Sequence, residues 1–254
     1  MANKNWTREE HILAFNLYCK IPLSKINSTY PAVKELAQIL DRSDGSVAMK
    51  LANFMRHDPA LKARNVSGLK RGAKGEELIW HEFHGNWEEL AWQSEQILAS
   101  KKIDSIENSS GIDLLDLPKE GKERETIIKT RVNQSFFRKT ILASYTESCC
   151  VTGIAIPQLL VASHIIPWSV ALKERMNPSN GLCLNTLHDK AFDDGLITVT
   201  PDYKIRLSKI VLDNVDNQTE KFFLPYKNAK IKLPQRFYPD AKFLEWHNQN
   251  IFKG

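Results

Sequence analysis

The sequence predicts an α+β protein in two parts: a helical N-terminal region with a helix-turn-helix-like segment, then a region that mixes short strands with helices. Three observations predict it. Apolar residues recur at helical spacing through residues 8–98, a polar stretch broken by Gly111, Pro118 and Gly121 follows, and beyond it strand-like runs such as LLVASHII and LITVT alternate with helical patterns. The expected organisation is therefore a helical domain over 1–103, a linker over 104–122 and a mixed domain over 123–254.

Composition bounds what such a chain does. At 254 residues with 42% hydrophobic and 26% charged side chains, it has enough apolar material for a buried core, which argues against disorder. No apolar run approaches the ~20 residues of a membrane span, so no membrane partner is expected. Glu9, Glu10 and His11 stand where a secretion signal would need its apolar core, and the four cysteines contain no C-x-x-C pair. A reduced, cytoplasmic protein is the expectation. Lys and Arg exceed Asp and Glu by 35 to 30, and the excess is local. Between Arg42 and Lys74 eight basic residues face only Asp44 and Asp58, which suits a polyanion.

Taken in order, Thr7 caps a helix over Arg8–Lys20, with Glu10 completing a capping box and Pro22 blocking continuation. Tyr30-Pro31 opens a second helix whose buried face is Val33, Leu36, Ala37 and Leu40. After a polar turn, a third helix buries Val47, Leu51 and Phe54 and leaves Lys50 and Arg56 outward. Two short helices joined by a tight turn fit a helix-turn-helix, with Ser46 and Lys50 near the end that faces bases. Lys50, Arg56, Arg64, Lys70 and Arg71 are the expected phosphate contacts, with double-stranded DNA the expected partner. The stretch 76–100 reads as two packing helices broken at Gly85-Asn86.

The second part opens with a basic helix carrying Arg131 and Arg138, followed by a strand ending near His164. NGLCLNTLH reads as a strand entering a helix that stops at Gly195, then a hairpin turns at Pro201-Asp202-Tyr203, and Pro239–Phe252 forms a last helix. A strand His and a helix His across a small cleft suit metal-assisted phosphodiester hydrolysis, because a near-neutral imidazole works as a base while a cation neutralises phosphate charge. Asn180, with both a donor and an acceptor, suits tying the loop between the strands.

Residues 131–208 resemble the HNH endonuclease family of the ββα-metal class. The resemblance is carried by Cys150-Val151-Thr152-Gly153, Ala162-Ser163-His164-Ile165 with Pro167-Trp168, Asn180-Gly181-Leu182, and His188-Asp189-Lys190-Ala191-Phe192-Asp193 with Gly195. It implies a ββα-metal nuclease domain with His164 as general base, Asn180 as loop-positioning residue and His188 as metal ligand. Ser163 stands where many family members carry a further ligand, so Asp193 is the expected second one. Mg²⁺, Mn²⁺ or another divalent cation is the implied cofactor. Without the paired C-x-x-C motifs of many relatives, no structural zinc is expected, and Cys149, Cys150 and Cys183 read as small buried residues. Arg131, Arg138 and Lys190 are further expected phosphate contacts.

Residues 6–98 also resemble a module found ahead of such domains in bacterial restriction endonucleases. Reader plus cutter implies restriction of foreign, even modified, DNA, with a homodimer as the simplest route to cutting both strands. Two rivals follow from the same residues: a structure-specific or repair nicking enzyme, and a DNA-binding regulator whose nuclease fold no longer cuts.

Overall fold

The computed structural model describes residues 5–66, 74–112, 118 and 120–254. The chain divides into two compact units, Met1–Thr140 and Ile141–Gly254. Lys70 and Arg71 lie outside the described residues.

In the first unit, α1 (Arg8–Lys20) begins at Thr7, whose hydroxyl accepts from Glu10 N while Glu10 Oε2 accepts from Thr7 N at 2.7 Å. Both ends of the T-x-x-E signal are thus used, satisfying backbone donors that a helix start leaves open. The buried ring of Phe15 stacks on Phe54 at 4.9 Å and tilts against Trp80 at 5.2 Å and Trp87 at 6.2 Å. Those rings come from α3 (Asp44–Met55), α5 (Lys74–Phe83) and α6 (Trp87–Lys102), so one residue of α1 gathers three helices. Tyr18, fully buried, donates to Asp58 Oδ2 at 3.0 Å, and Asp58 caps the short α4 (Pro59–Ala63).

Between α2 (Pro31–Leu40) and α3 the chain turns in three residues. Asp41 takes a left-handed conformation at φ 50°, Arg42 N donates to Ala37 O, and Ser43 Oγ caps α3 by accepting from Ser46 N. Arg42 also lies 4.3 Å over the Trp6 ring and donates twice to Glu10, which fixes the turn against α1. The break at Gly85-Asn86 separates α5 from α6 as the sequence suggests. Within the expected linker, Ile106–Ser110 forms α7. The long α8 (Lys122–Ser144) buries Ile128, Val132, Phe136 and Phe137, and the division between units falls inside it. Among the described residues no helix is long and apolar enough to cross a membrane.

The second unit is built on a strand pair and one helix. β1 (Leu160–His164) and β2 (Gly181–Asn185) run antiparallel, with His164 opposite Gly181 and Ser163 opposite Leu182. β2 passes directly into α9 (Thr186–Asp193), whose cap is Asn185, accepting from His188 N at 3.0 Å. Gly195 ends α9 at φ 71°, and a Cβ there would run into the Ile251 carbonyl. Only glycine meets both demands. A hairpin of β3 (Ile197–Val199) and β4 (Ile205–Leu207) follows, then α10 (Lys209–Asp213), α11 (Asn217–Phe223) and α12 (Ala241–Asn250). Cys149, Cys150 and Cys183 are buried and take part in no disulfide.

The buried His247 of α12 closes this core. Its ring stacks on Phe192 at 3.7 Å, Nε2 faces Phe192 O at 3.1 Å and Nδ1 faces Thr198 Oγ1 at 2.8 Å. Burial pushes its pKa down to about 4, against the partial support of the Phe192 carbonyl. The unfolded chain therefore takes up a proton near the ordinary value of 6.5 that the folded protein refuses until about 4. Stability should fall as pH drops through that window, by up to about 3 kcal/mol from this group. Denaturant unfolding at neutral and mildly acid pH, on the protein and on His247→Gln, checks it: the variant should lose less stability on acidification.

Candidate active site

The end of β1, the loop after it and one face of α9 enclose a cleft lined by Ser163, His164, Pro167, Trp168, Asp189 and Asp193, among others. His164 reaches it as the last residue of β1. Its Nε2 lies 2.9 Å from Arg175 O, a carbonyl that can only accept, so Nε2 carries the proton and Nδ1 the lone pair. Burial lowers its pKa and the Arg175 carbonyl partly restores it, leaving a neutral ring at pH 7. Trp168 stands edge-on to His164 at 5.6 Å, and the Arg175 guanidinium lies 4.9 Å over the Trp168 ring. The imidazole is thereby held by a hydrogen bond on one nitrogen and a ring against its face.

Asn180 holds the loop that carries those partners. Fully buried, it accepts from Ile166 N at 2.8 Å and donates to Ile166 O at 3.1 Å and Glu174 O at 3.4 Å. Its own carbonyl accepts from Ile165 N at 2.9 Å. One side chain thus clasps both ends of the 165–175 loop and places Arg175 O against His164.

His188 departs from its expected role as a metal ligand. Its Nδ1 faces Asn185 Oδ1 and its Nε2 faces Phe222 O, both at 3.1 Å, and its ring packs on Phe223 and Tyr226. It lines a separate cavity with Thr152, Leu159, Asn185, Phe222 and Tyr226. Both ring nitrogens are turned to acceptors away from the cleft, so His188 is a packing residue. Helix geometry explains why. His188 and Asp193 are five residues apart, about 140° around a helix, and cannot serve one ion together. Asp189 and Asp193, at i and i+4, share a face, and both line the cleft with His164. The sequence reading missed Asp189, although this spacing was available to find it.

The two carboxylates of the cleft are crowded and partly buried. Asp193 is pushed up to about 6, by burial of the carboxyl first and then by Asp189 and Asp194. Burial likewise raises Asp189, while the Ser163 hydroxyl pulls it back. Ser163 Oγ, itself buried, has no hydrogen bond of good geometry. Two crowded carboxylates with the Ser163 hydroxyl beside Asp189 make a set of oxygen donors, the ligand type that hard divalent cations take. Among the described residues no group of three or more His, Cys, Asp or Glu is arranged to hold a metal ion.

The other expected contacts divide. Lys50 is not outward. Its ammonium is buried, 2.5 Å from Glu76 Oε1 and 4.8 Å from the Trp6 ring, because residue 50 shares a helix face with Val47 and Phe54. It is unavailable to a phosphate. Ser46 is half-buried at the start of α3, Arg56 donates to His57 Nε2 at 2.9 Å, and Arg64 is exposed at the end of α4. Arg131 is half-buried and Arg138 exposed on α8, and the exposed Lys190 pairs with Asp194 at 2.8 Å.

Residues 149–200 match the family model described as HNH endonuclease. That span contains β1, the clasped loop, β2, α9 and every cleft residue named above, and none of the basic residues of α8. No curated protein matches the chain.

Proposed function

We propose, from the premise that residues 149–200 belong to the HNH endonuclease family, that the protein is a divalent-cation-dependent endonuclease that hydrolyses DNA phosphodiesters. The observation that carries this reading is the tautomer forced on His164: Nε2–H is given to Arg175 O, which makes Nδ1 the basic nitrogen of a ring that lines a cleft with two carboxylates. Nδ1 takes the proton from the attacking water, and the imidazolium that results is held by the same carbonyl. Asp189 and Asp193, with Ser163, would hold the cation. When bound, it neutralises charge on the scissile phosphate and the leaving oxygen. Arg175, whose Nε has no acceptor, stacks on Trp168 beside the base and offers a phosphate a positive charge.

The N-terminal unit supports a reading role for the α2–α3 pair, with Ser46 at the base-facing end and Arg56, Arg64, Lys70 and Arg71 supplying charge. Arg131, Arg138 and Lys190 remain proposed phosphate contacts of the second kind, outside base recognition. A reader joined to a cutter suits restriction of foreign DNA, and cutting both strands would take two copies of a one-strand site. Incubating the purified protein with plasmids of defined methylation, with Mg²⁺ or Mn²⁺ and with chelator, tests this. Cation-dependent conversion of supercoiled plasmid to nicked or linear form is expected, with a preference set by sequence or methylation. Cleavage confined to branched or damaged duplexes would favour a repair nuclease instead.

A further inference from the structure

The 165–175 loop does more than hold Arg175 O against His164. It carries two large apolar side chains into solvent: Val170 is 55% exposed and Leu172 66%. Apolar residues exposed singly are ordinary on a protein surface. These two stand two positions apart on a loop that Asn180 ties at both ends. The loop is also stiffened from within. Val170 N and Ala171 N both donate to Pro167 O, at 2.9 and 3.0 Å, and Glu174 N donates to Ala171 O at 3.0 Å. A tip held in this way keeps both apolar side chains at the surface.

The place of the tip narrows its partner. Pro167 and Trp168, at the start of the loop, line the cleft with His164, Asp189 and Asp193. Leu172 is three residues from Arg175, so its Cα lies within about 11 Å of the Arg175 Cα. That is about three base pairs at roughly 3.4 Å each. Trp168 is engaged between the His164 ring and the Arg175 guanidinium, which leaves Val170 and Leu172 as the loop's outward apolar groups. Charge at the tip suits a polyanion. Lys173 is exposed, while the loop's acidic residue, Glu174, accepts at its carboxylate from Asn177 Nδ2 at 2.7 Å. Apolar side chains with a cation beside them are the makings of a wedge: the apolar groups enter between base pairs and the cation meets a backbone phosphate. We propose, on the reading of the cleft as a DNA nuclease site, that Val170 and Leu172 enter the base stack within about three pairs of the cut phosphate. The protein then cuts where the duplex opens with least cost, at pyrimidine–purine steps or beside a mismatch.

The test reads unstacking and cleavage separately. Short duplexes, each with 2-aminopurine at a different position, are bound to the full chain in chelator, and the same duplexes are then cut with Mn²⁺ to map the cleaved bond. Unstacking brightens 2-aminopurine, so a severalfold rise in fluorescence is expected at one step within about three pairs of the cut. Val170→Ser combined with Leu172→Ser, both at surface positions, should abolish that rise. The double variant should also cut a matched duplex about thirtyfold more slowly, in line with the apolar area withdrawn from the stack. Leu172→Met keeps an apolar wedge and should keep both signals. A mismatch at the same step has already lost its stacking, so the double variant should cut that duplex at the parent's rate. A parent that cuts without brightening any probe, a double variant as bright as the parent, or a slowed variant that the mismatch does not rescue would each overturn the wedge and leave the nuclease reading standing. Brightening with no cleavage of any duplex would instead overturn the nuclease reading and keep the wedge as a binding element.

Discussion

His164→Ala is expected to lower the cleavage rate by about 10²–10⁴-fold, the usual loss for a general base, while DNA affinity stays within a few-fold. The ring contributes one lone pair at Nδ1, positioned by Arg175 O and Trp168, and neither a charge nor a large surface to the duplex. The pH profile carries a second signature. Because burial lowers the His164 pKa, the base is neutral throughout the physiological range and is lost only as pH falls through that lowered value. Asp193, near 6, titrates in the same direction, and in its proposed role at the cation it would act deprotonated. Activity should therefore drop on the acid side and be flat from neutral pH into the mildly alkaline range. Single-turnover cleavage of a labelled duplex, with binding measured separately in chelator, separates the two effects. A well-folded His164→Ala protein that cuts at near-normal rate would remove the residue from catalysis.

Glu76→Gln is expected to destabilise the first unit by about 3–5 kcal/mol, because it strands the Lys50 ammonium in a buried site. Glu76 is fully buried and accepts from Lys50 at 2.5 Å and from Asn53 at 2.9 Å. Burial alone would raise its pKa, but these hydrogen bonds outweigh it and the net shift is downward. The pair's contribution is present above the ordinary carboxylate value of 4.5 and is lost as pH falls through the lowered one. Lys50→Met combined with Glu76→Gln should recover much of the loss, since neutralising both partners removes the stranded charge. Chemical denaturation of the two single variants and the double closes the cycle. A Glu76→Gln protein as stable as the parent would mean that the pair is not formed.

Much of the architecture was legible because its signals are local. T-R-E-E announces the capping box of α1, D-R-S-D the turn before α3, and N-T-L-H the passage from β2 into α9. What stayed hidden depends on partners far away in sequence or on the register of a helix face. Lys50 looked outward because its acidic partner comes from another helix, although its register with Val47 and Phe54 placed it inward. The family resemblance implies His188 as a ligand, whereas the 100° step to Asp189 turns the next side chain into the cleft. His247 carried no local signal, since Phe192 and Thr198 approach it from separate elements.

The central claim is that a divalent cation sits with Asp189 and Asp193 beside His164, and not at His188. Calorimetric titration of Mn²⁺ into the parent protein, Asp189→Asn and His188→Gln tests it most directly. The account predicts binding that Asp189→Asn abolishes or weakens by at least about tenfold, as loss of a ligand does, while His188→Gln retains the parent's cation affinity. Loss of Mn²⁺ binding in His188→Gln, with Asp189→Asn unaffected, would contradict it.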